Sequence, residues 1–158
     1  MKNKPWKSYA AWILVTEAVG GLAGLLTRSA MEIYNTTILK PPLSPPPAVF
    51  PVAWTILYAL MGIGAARIWL KPPSPGRSRS LRLYLLQLAF NFLWSFLFFS
   101  FQAFGLAFLW LAVLWLLVLR MILSFYETDR PAALVQLPYL IWLLFAAYLN
   151  LGVWKLNG

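Results

Sequence analysis

Aromatic rings and side-chain amides recur at helical spacing in three apolar stretches of this sequence. Side chains three, four or seven residues apart share one face of a helix, so each stretch presents its rings and amides together. Three helices that each offer a ring and a hydrogen-bonding group match the chemistry of a pocket for a large, flat, mostly apolar ligand with a few polar edges. The members of the three faces are Trp54, Tyr58 and Met61; Tyr84, Gln87, Asn91 and Trp94; and Tyr139, Trp142, Ala146 and Asn150.

Each of these faces also has a purely structural interpretation. Tryptophan is common where helices meet the membrane interface, and an amide such as Gln87 or Asn91 inside an apolar helix often only joins neighbouring helices. Taken singly, a face of this kind is more often structural than functional. Taken together, the three faces leave a ligand pocket and helix packing open as alternatives.

Few other side chains of the sequence could bind a metal or perform catalysis. The chain has no cysteine and no histidine, which excludes disulfides, the usual zinc sites, His-ligated haem and the Ser-His-Asp and Cys-His triads. We therefore expect no metal site and no cofactor. Of the carboxylates Glu17, Glu32, Glu127 and Asp129, no two share an apolar stretch, which argues against a paired-carboxylate site. Glu17 lies inside the first apolar stretch and is a functional candidate, unless it pairs with a basic group such as Lys7.

The elements that carry these residues are membrane helices by composition. Of the 158 residues, 61% are hydrophobic and 11% charged, whereas soluble domains have roughly 25% charged residues. We predict an all-α membrane protein, a bundle of five transmembrane helices that forms one domain over residues 1–158. A helix that crosses a bilayer needs about 20 mostly apolar residues. The stretches that qualify are roughly 8–28, 48–70, 82–101, 104–126 and 131–155.

The connection between the first two helices, residues 29–47, is rich in proline. Five of the seven residues 41–47 are proline, a composition that excludes helix and sheet and favours a stiff, extended chain. Such a segment suits a fixed lid over the bundle, but composition alone favours a plain rigid connector.

The net charge of +9 reflects orientation rather than nucleic-acid binding. The basic residues lie between apolar stretches and form no continuous stripe, so we expect no nucleic-acid partner. The lysines Lys2, Lys4 and Lys7 and the basic connection 71–82 would lie on one side of a five-helix bundle. The positive-inside rule then predicts a cytoplasmic N-terminus. An odd number of spans without an internal repeat does not match the inverted halves of many transporters.

Several motifs are spread in order over residues 34–150. The motifs are Lys40-Pro41-Pro42-Leu43-Ser44-Pro45-Pro46; Val49-Phe50-Pro51-x-x-Trp54-Thr55-x-Leu57-Tyr58-x-x-Met61-Gly62; Gln87-Leu88-x-x-Asn91-x-x-Trp94; and Pro138-Tyr139-Leu140-x-Trp142, followed by Ala146 and Leu149-Asn150. Together they resemble the motifs of one family, the translocator proteins, whose bacterial members are called tryptophan-rich sensory proteins (TspO/MBR).

The resemblance implies a five-helix bundle in the bacterial cell membrane, usually a homodimer. It also implies binding of porphyrins such as protoporphyrin IX, and of other flat hydrophobic molecules, below the first long loop. Carried over by motif, the ligand contacts would be Trp54, Asn91, Trp94, Trp142 and Ala146. The helical faces add two further candidates, Tyr58 and Tyr139.

Three functions are compatible with such a pocket. The leading hypothesis is a membrane receptor or sensor for tetrapyrroles. The alternative is an enzyme that degrades porphyrin with light and oxygen, for which the resemblance implies Trp54 and Trp142 as the required residues. A transporter of porphyrins or other lipophilic molecules is a further alternative, with less support because the chain has no central charged pathway.

Overall fold

Proline residues mark the beginning of most helices in the structure, a computed structural model that describes residues 4–158. A proline in the first helical turn lacks only an N–H that the turn would leave unpaired, so it starts a helix without cost. Pro5, Pro75, Pro131 and Pro138 all occupy such positions. Lys2 lies outside the described residues. The elements are α1 (Pro5–Leu26), α2 (Arg28–Thr37), α3 (Val49–Trp69), α4 (Pro75–Ser95) with a π-helical turn (Phe96–Ser100), α5 (Phe104–Thr128), α6 (Arg130–Leu134) and α7 (Leu137–Asn157).

Within residues 4–158, five helical segments are long and apolar enough to cross a membrane. These segments are Pro5–Leu26, Val49–Trp69, Pro75–Ser100, Phe104–Thr128 and Arg130–Asn157. The predicted fold class, an all-α bundle of five transmembrane helices, is confirmed. Large apolar side chains such as Leu14, Leu109 and Ile141 stand on the outside of the bundle, where lipid would cover them.

Residues 29–37, expected in the connection between the first two helices, instead belong to helix α2. This stretch contains neither proline nor glycine, and its inward side chain is the buried Tyr34. In this connection, only residues 38–48, which contain the prolines, are not helical.

Two other helices differ from their expected bounds. Helix α4 begins at Pro75, seven residues earlier than expected, because the Ser74 hydroxyl accepts a hydrogen bond of 3.1 Å from the backbone N–H of Arg77 and caps the helix. The last span is interrupted between α6 and α7. Pro138 has no N–H to continue the hydrogen bonding of α6, so the chain turns at Gln136 before α7 begins.

Glycines allow α1 to approach α3 closely. A Cβ atom at Gly62 would lie 2.6 Å from the Cα atom of Ile13, and a Cβ atom at Gly20 would overlap the ring of Tyr58. Gly20 therefore serves contact within the bundle. The faces of α4, α5 and α7 close the rest of the core, which centres on the fully buried Tyr84 and Tyr139.

A carboxylate at one end of the bundle ties three elements together. Asp129 accepts hydrogen bonds from Arg67 Nε at 2.7 Å and from the backbone N–H of Ala132 at 3.1 Å, and Lys71 Nζ lies 3.0 Å away. Arg67 is thus paired with a carboxylate of the bundle. Burial acts to raise the pKa of Asp129, but the hydrogen bonds from Arg67 and Lys71 outweigh it and lower the pKa below its ordinary value.

We predict that Asp129→Asn lowers the free energy of unfolding by about 1–3 kcal/mol, because it leaves Arg67 and Lys71 without their anion. Denaturant titration in mixed micelles measures this change. The matched control is Glu127→Gln, which removes an exposed ion pair with Arg79 and should change the free energy by less than about 0.5 kcal/mol. Equal effects of the two substitutions would contradict the conclusion that Asp129 stabilises the bundle through Arg67 and Lys71.

The same pair predicts a pH dependence. Because the pKa of Asp129 is lowered by folding, its stabilisation is complete above the ordinary pKa of an aspartate and is lost as the pH falls through the lowered value. Stability measured across the acidic range should fall less steeply in Asp129→Asn than in the unsubstituted protein.

Candidate ligand-binding site

A cavity of about 440 Å³ lies among α1, α2, α3, the end of α4 and α7. This volume is in the range of small-molecule sites. The helix directions place it in one half of the bundle, nearer the end of α1 that leads into α2. Its lining is mostly apolar and aromatic. The lining residues are Glu17, Gly20, Gly21, Ala23, Gly24, Met31, Tyr34, Asn35, Pro47, Phe50, Pro51, Trp54, Thr55, Tyr58, Trp94, Ser95, Phe98, Phe99, Trp142, Ala146, Leu149 and Asn150.

One wall of the cavity is a group of rings from α3 and α7. Trp54 stacks on Tyr58 at 5.4 Å between ring centroids, and it meets Trp142 edge-on at 6.3 Å. Phe50 meets the other side of Trp142, also at 6.3 Å. Edge-on and offset contacts are the favoured geometries of aromatic pairs. These contacts therefore fix the orientation of the rings beside the cavity.

A second wall comes from α4 and its π-helical turn. Trp94 stacks on Phe98 at 5.0 Å, and Phe98 meets Phe99 edge-on at 4.9 Å. The Trp94 Nε1–H donates a 3.1 Å hydrogen bond to Asn150 Oδ1, while Asn150 Nδ2 donates to the Phe104 carbonyl at 2.8 Å. The indole of Trp94 is therefore fixed in rotation by α7.

Five of the seven predicted ligand-binding residues line this cavity: Trp54, Tyr58, Trp94, Trp142 and Ala146. They come from three different helices, α3, α4 and α7, as their helical spacing predicted. Trp54 and Trp142, the two tryptophans that the resemblance implies for porphyrin degradation, meet edge-on within one wall.

The other two predicted residues, Asn91 and Tyr139, lie behind the cavity wall. The Tyr58 hydroxyl donates to Asn91 Oδ1, Asn91 Nδ2 donates to the Tyr139 hydroxyl, and Tyr139 donates to Gln87 Oε1, each at 2.8 Å. Asn91 and Tyr139 are 4% and 0% exposed. Their polar atoms bind one another, so in this arrangement they orient Tyr58 rather than face the cavity.

The roof of the cavity is α2 rather than the proline-rich segment. Tyr34 packs against Phe98 and Phe99 at 5.4 and 5.3 Å. Burial raises the pKa of the Tyr34 phenol, which keeps it neutral. Lys40 Nζ donates to the carbonyls of Tyr34, Asn35 and Ile38, at 2.9, 3.3 and 3.1 Å, and so caps the end of the helix.

The proline-rich segment is fastened to α7. Asn157 exchanges two hydrogen bonds with the backbone of Leu39, at 3.0 and 2.8 Å, and the Tyr148 hydroxyl donates to the Pro42 carbonyl at 2.6 Å. Within residues 38–48, all of which are described, only Pro47 lines the cavity. Of the two interpretations of this segment, a fixed lid and a rigid connector, these contacts favour the connector, which joins α2 to α3 and is held against α7.

Sequence reasoning missed the residues of two elements. Met31, Tyr34 and Asn35 were missed because residues 29–47 were expected to form a connection without a helix, although Met31 and Tyr34 at i and i+3 were a detectable helical signal. Phe98 and Phe99 were missed because the π-helical turn holds an extra residue and turns both rings towards α2. We find no signal in the sequence for that turn.

Glu17 also lines the cavity. Among the described residues, no basic group lies within 4 Å of its carboxylate. Lys7, the partner suggested by the sequence, precedes it by ten residues, about 15 Å along a helix. Within residues 4–158, no three side chains of the metal-binding types come together.

The arrangement is suited to binding a flat aromatic molecule. Rings on two walls can stack on its faces, and the buried Nε1–H of Trp142 has no acceptor among the described residues. A buried donor without an acceptor costs free energy, which an acceptor on a ligand would recover.

Comparison with known proteins assigns the family. The sequence model of the TspO/MBR family matches residues 12–155. A tryptophan-rich protein TspO of Chlorobaculum tepidum is 33% identical over 159 residues, which cover 98% of this chain and 99% of that protein. A tryptophan-rich sensory protein of Cereibacter sphaeroides is 34% identical, with 98% and 94% covered, and a translocator protein of Bos taurus is 31% identical, with 97% and 92% covered. The chain is therefore an integral membrane protein that belongs to the TspO/MBR family.

Proposed function

We propose that this protein is a membrane receptor or sensor that binds porphyrins, such as protoporphyrin IX, and related flat hydrophobic molecules. The observation that carries the proposal is the presence of Trp54, Trp94 and Trp142, from three helices, in the walls of one cavity. A macrocycle that lies between these walls would stack on indoles from both sides. Each such ring contact contributes about 0.5–1.5 kcal/mol beyond the burial of apolar surface.

The polar groups of the site have distinct proposed roles. Tyr58 would meet the ligand through its ring, which already stacks on Trp54. Asn91 and Tyr139 would hold Tyr58 in place through their hydrogen bonds. A direct bond from Asn91 to the polar edge of a ligand requires the bond between Tyr58 and Asn91 to open. Ala146, small and 8% exposed, would leave room beside Trp142.

The proposed setting is the cell membrane of a bacterium, with the N-terminus in the cytoplasm. The described basic residues support this orientation, since Lys4, Lys7, Lys71, Arg79 and Arg130 all belong to one end of the five-span bundle. The cavity would then open in the outer half of the bilayer. A homodimer, expected from the family resemblance, stays a prediction.

We predict that the double substitution Trp54→Ala, Trp142→Ala weakens protoporphyrin IX binding by about tenfold or more, because two ring contacts are lost. Titration of the porphyrin absorption spectrum with purified protein in detergent measures the affinity. The matched control is Trp6→Ala, Trp69→Ala, which removes two indoles outside the cavity and should leave the affinity unchanged. Unchanged binding in the Trp54 and Trp142 variant would reject this cavity as the site.

A second candidate function is light- and oxygen-dependent breakdown of the bound porphyrin. It is favoured by the cluster of electron-rich rings, in which Trp54 lies 5.4 Å from Tyr58 and 6.3 Å from Trp142. Such rings can donate an electron to an excited macrocycle, while dissolved oxygen serves as the final oxidant. The carboxylate and histidine machinery of hydrolytic enzymes plays no part in this chemistry.

Illumination of the complex separates binding from breakdown. If the protein degrades porphyrin, the main absorption band should bleach faster than that of free porphyrin in detergent, and removal of oxygen should stop the reaction. Trp54→Phe, Trp142→Phe keeps aromatic contact and should slow bleaching more than it weakens binding, because phenylalanine is a poor electron donor. Equal bleaching with and without protein would leave binding as the only activity.

A further inference from the structure

The cavity contains one formal charge among its described lining residues, the carboxylate of Glu17. Glu17 is the thirteenth residue of α1, near the middle of this membrane-spanning helix. An ionised group at this depth is costly unless a partner of opposite charge compensates it. The proposed binding of flat hydrophobic molecules gives Glu17 no role, so its presence needs a separate explanation.

Three other polar residues of the cavity lining form their hydrogen bonds elsewhere and not with Glu17. Asn150 is engaged by Trp94 and by the Phe104 carbonyl, and the Thr55 hydroxyl donates to the Pro51 carbonyl at 2.7 Å. The Tyr58 hydroxyl donates to Asn91. Each of these groups has its partner within the protein, whereas Glu17 has no ion-pair or hydrogen-bond partner among the described residues.

No cation among the described residues forms an ion pair with Glu17. The ammonium group of Lys40 caps three carbonyls at the end of α2, and that of Lys7 lies against the ring of Trp6 at 5.9 Å. A cationic ligand in the cavity would supply the partner that the described residues do not.

The surface beside Glu17 is open to a ligand. Gly20, Gly21 and Gly24 follow it on the same face of α1 and also line the cavity. A Cβ atom built at Gly21 or Gly24 would meet no other atom within 4 Å. A flat molecule can thus lie along this glycine face and bring one of its nitrogens to the carboxylate.

We propose that Glu17 selects the charge of the ligand: the cavity takes flat aromatic molecules that present a cationic nitrogen, or an N–H donor, to the Glu17 carboxylate. The proposal rests on the proposed function because it concerns the same cavity, and it adds a chemical class to it. A porphyrin with acidic side chains would bind with those groups turned away from Glu17, since two carboxylates in apolar surroundings repel each other.

Three tricyclic probes of nearly equal shape test this selection. They are 10-methylacridinium, which is a permanent cation; acridine, which is neutral at pH 8; and anthracene-9-carboxylate, which is an anion. Affinities for the full-length protein in detergent are measured from quenching of tryptophan fluorescence. We expect the unsubstituted protein to bind the cation about tenfold or more tightly than the neutral probe, and the anion most weakly.

Glu17→Gln keeps the size of the side chain and removes its charge, so it should abolish the preference for the cation by weakening the binding of 10-methylacridinium. The matched control is Glu32→Gln, which removes the same charge from an exposed position outside the cavity lining and should keep the preference. Two results would overturn the inference: no preference for the cation in the unsubstituted protein, or an equal preference in Glu17→Gln. Absence of porphyrin binding in the same preparation would instead defeat the proposed function, so the two failures are distinguishable.

Discussion

A polar side chain inside a membrane bundle must find its partner within the bundle, and much of this structure follows from that constraint. Gln87, Tyr139, Asn91 and Tyr58 meet the requirement by forming one chain of hydrogen bonds across α7, α4 and α3. In hydrocarbon there is no water to replace any of these bonds, so the chain fixes how the three helices are rotated against one another. Tyr58, at the end of this chain of hydrogen bonds, lines the cavity. Its fixed ring stacks on Trp54 and packs against Gly20.

The cavity lies beside this chain of hydrogen bonds, because Tyr58 belongs to both. Close contact of α1 with α3 at Gly62 sets their approach on one side of Tyr58. On the other side, the π-helical turn and α2 occupy the ends of the bundle without filling its centre. The proline-rich segment contributes indirectly: its bonds to Asn157 and Tyr148 of α7 keep α2 over the cavity. Rigid support of the roof reduces the conformational entropy that a ligand would have to remove on binding.

Sequence reasoning succeeded where local pattern decides the outcome. Length and hydropathy were sufficient for the five spans. Helical spacing predicted which residues share a face, and the rings of Trp54 and Trp142, from two such faces, meet at 6.3 Å. Local pattern is not sufficient where tertiary contacts decide. Whether Asn91 meets a ligand or Tyr139 depends on the rotation of α4 against α7, which no single helix encodes. The pair of Arg67 and Asp129 joins residues far apart in the chain, and the extra residue in the turn at Phe98 and Phe99 left no trace in the hydrophobic pattern.

The central claim is that the aromatic cavity is the site of a flat hydrophobic ligand. A structure of the protein with protoporphyrin IX bound in lipid tests it most directly. The account predicts the macrocycle between the wall of Trp54 and Trp142 and the wall of Trp94, beneath α2, with its acidic side chains turned away from Glu17. A macrocycle bound to the outer apolar surface of the bundle, with the cavity unchanged, would contradict it.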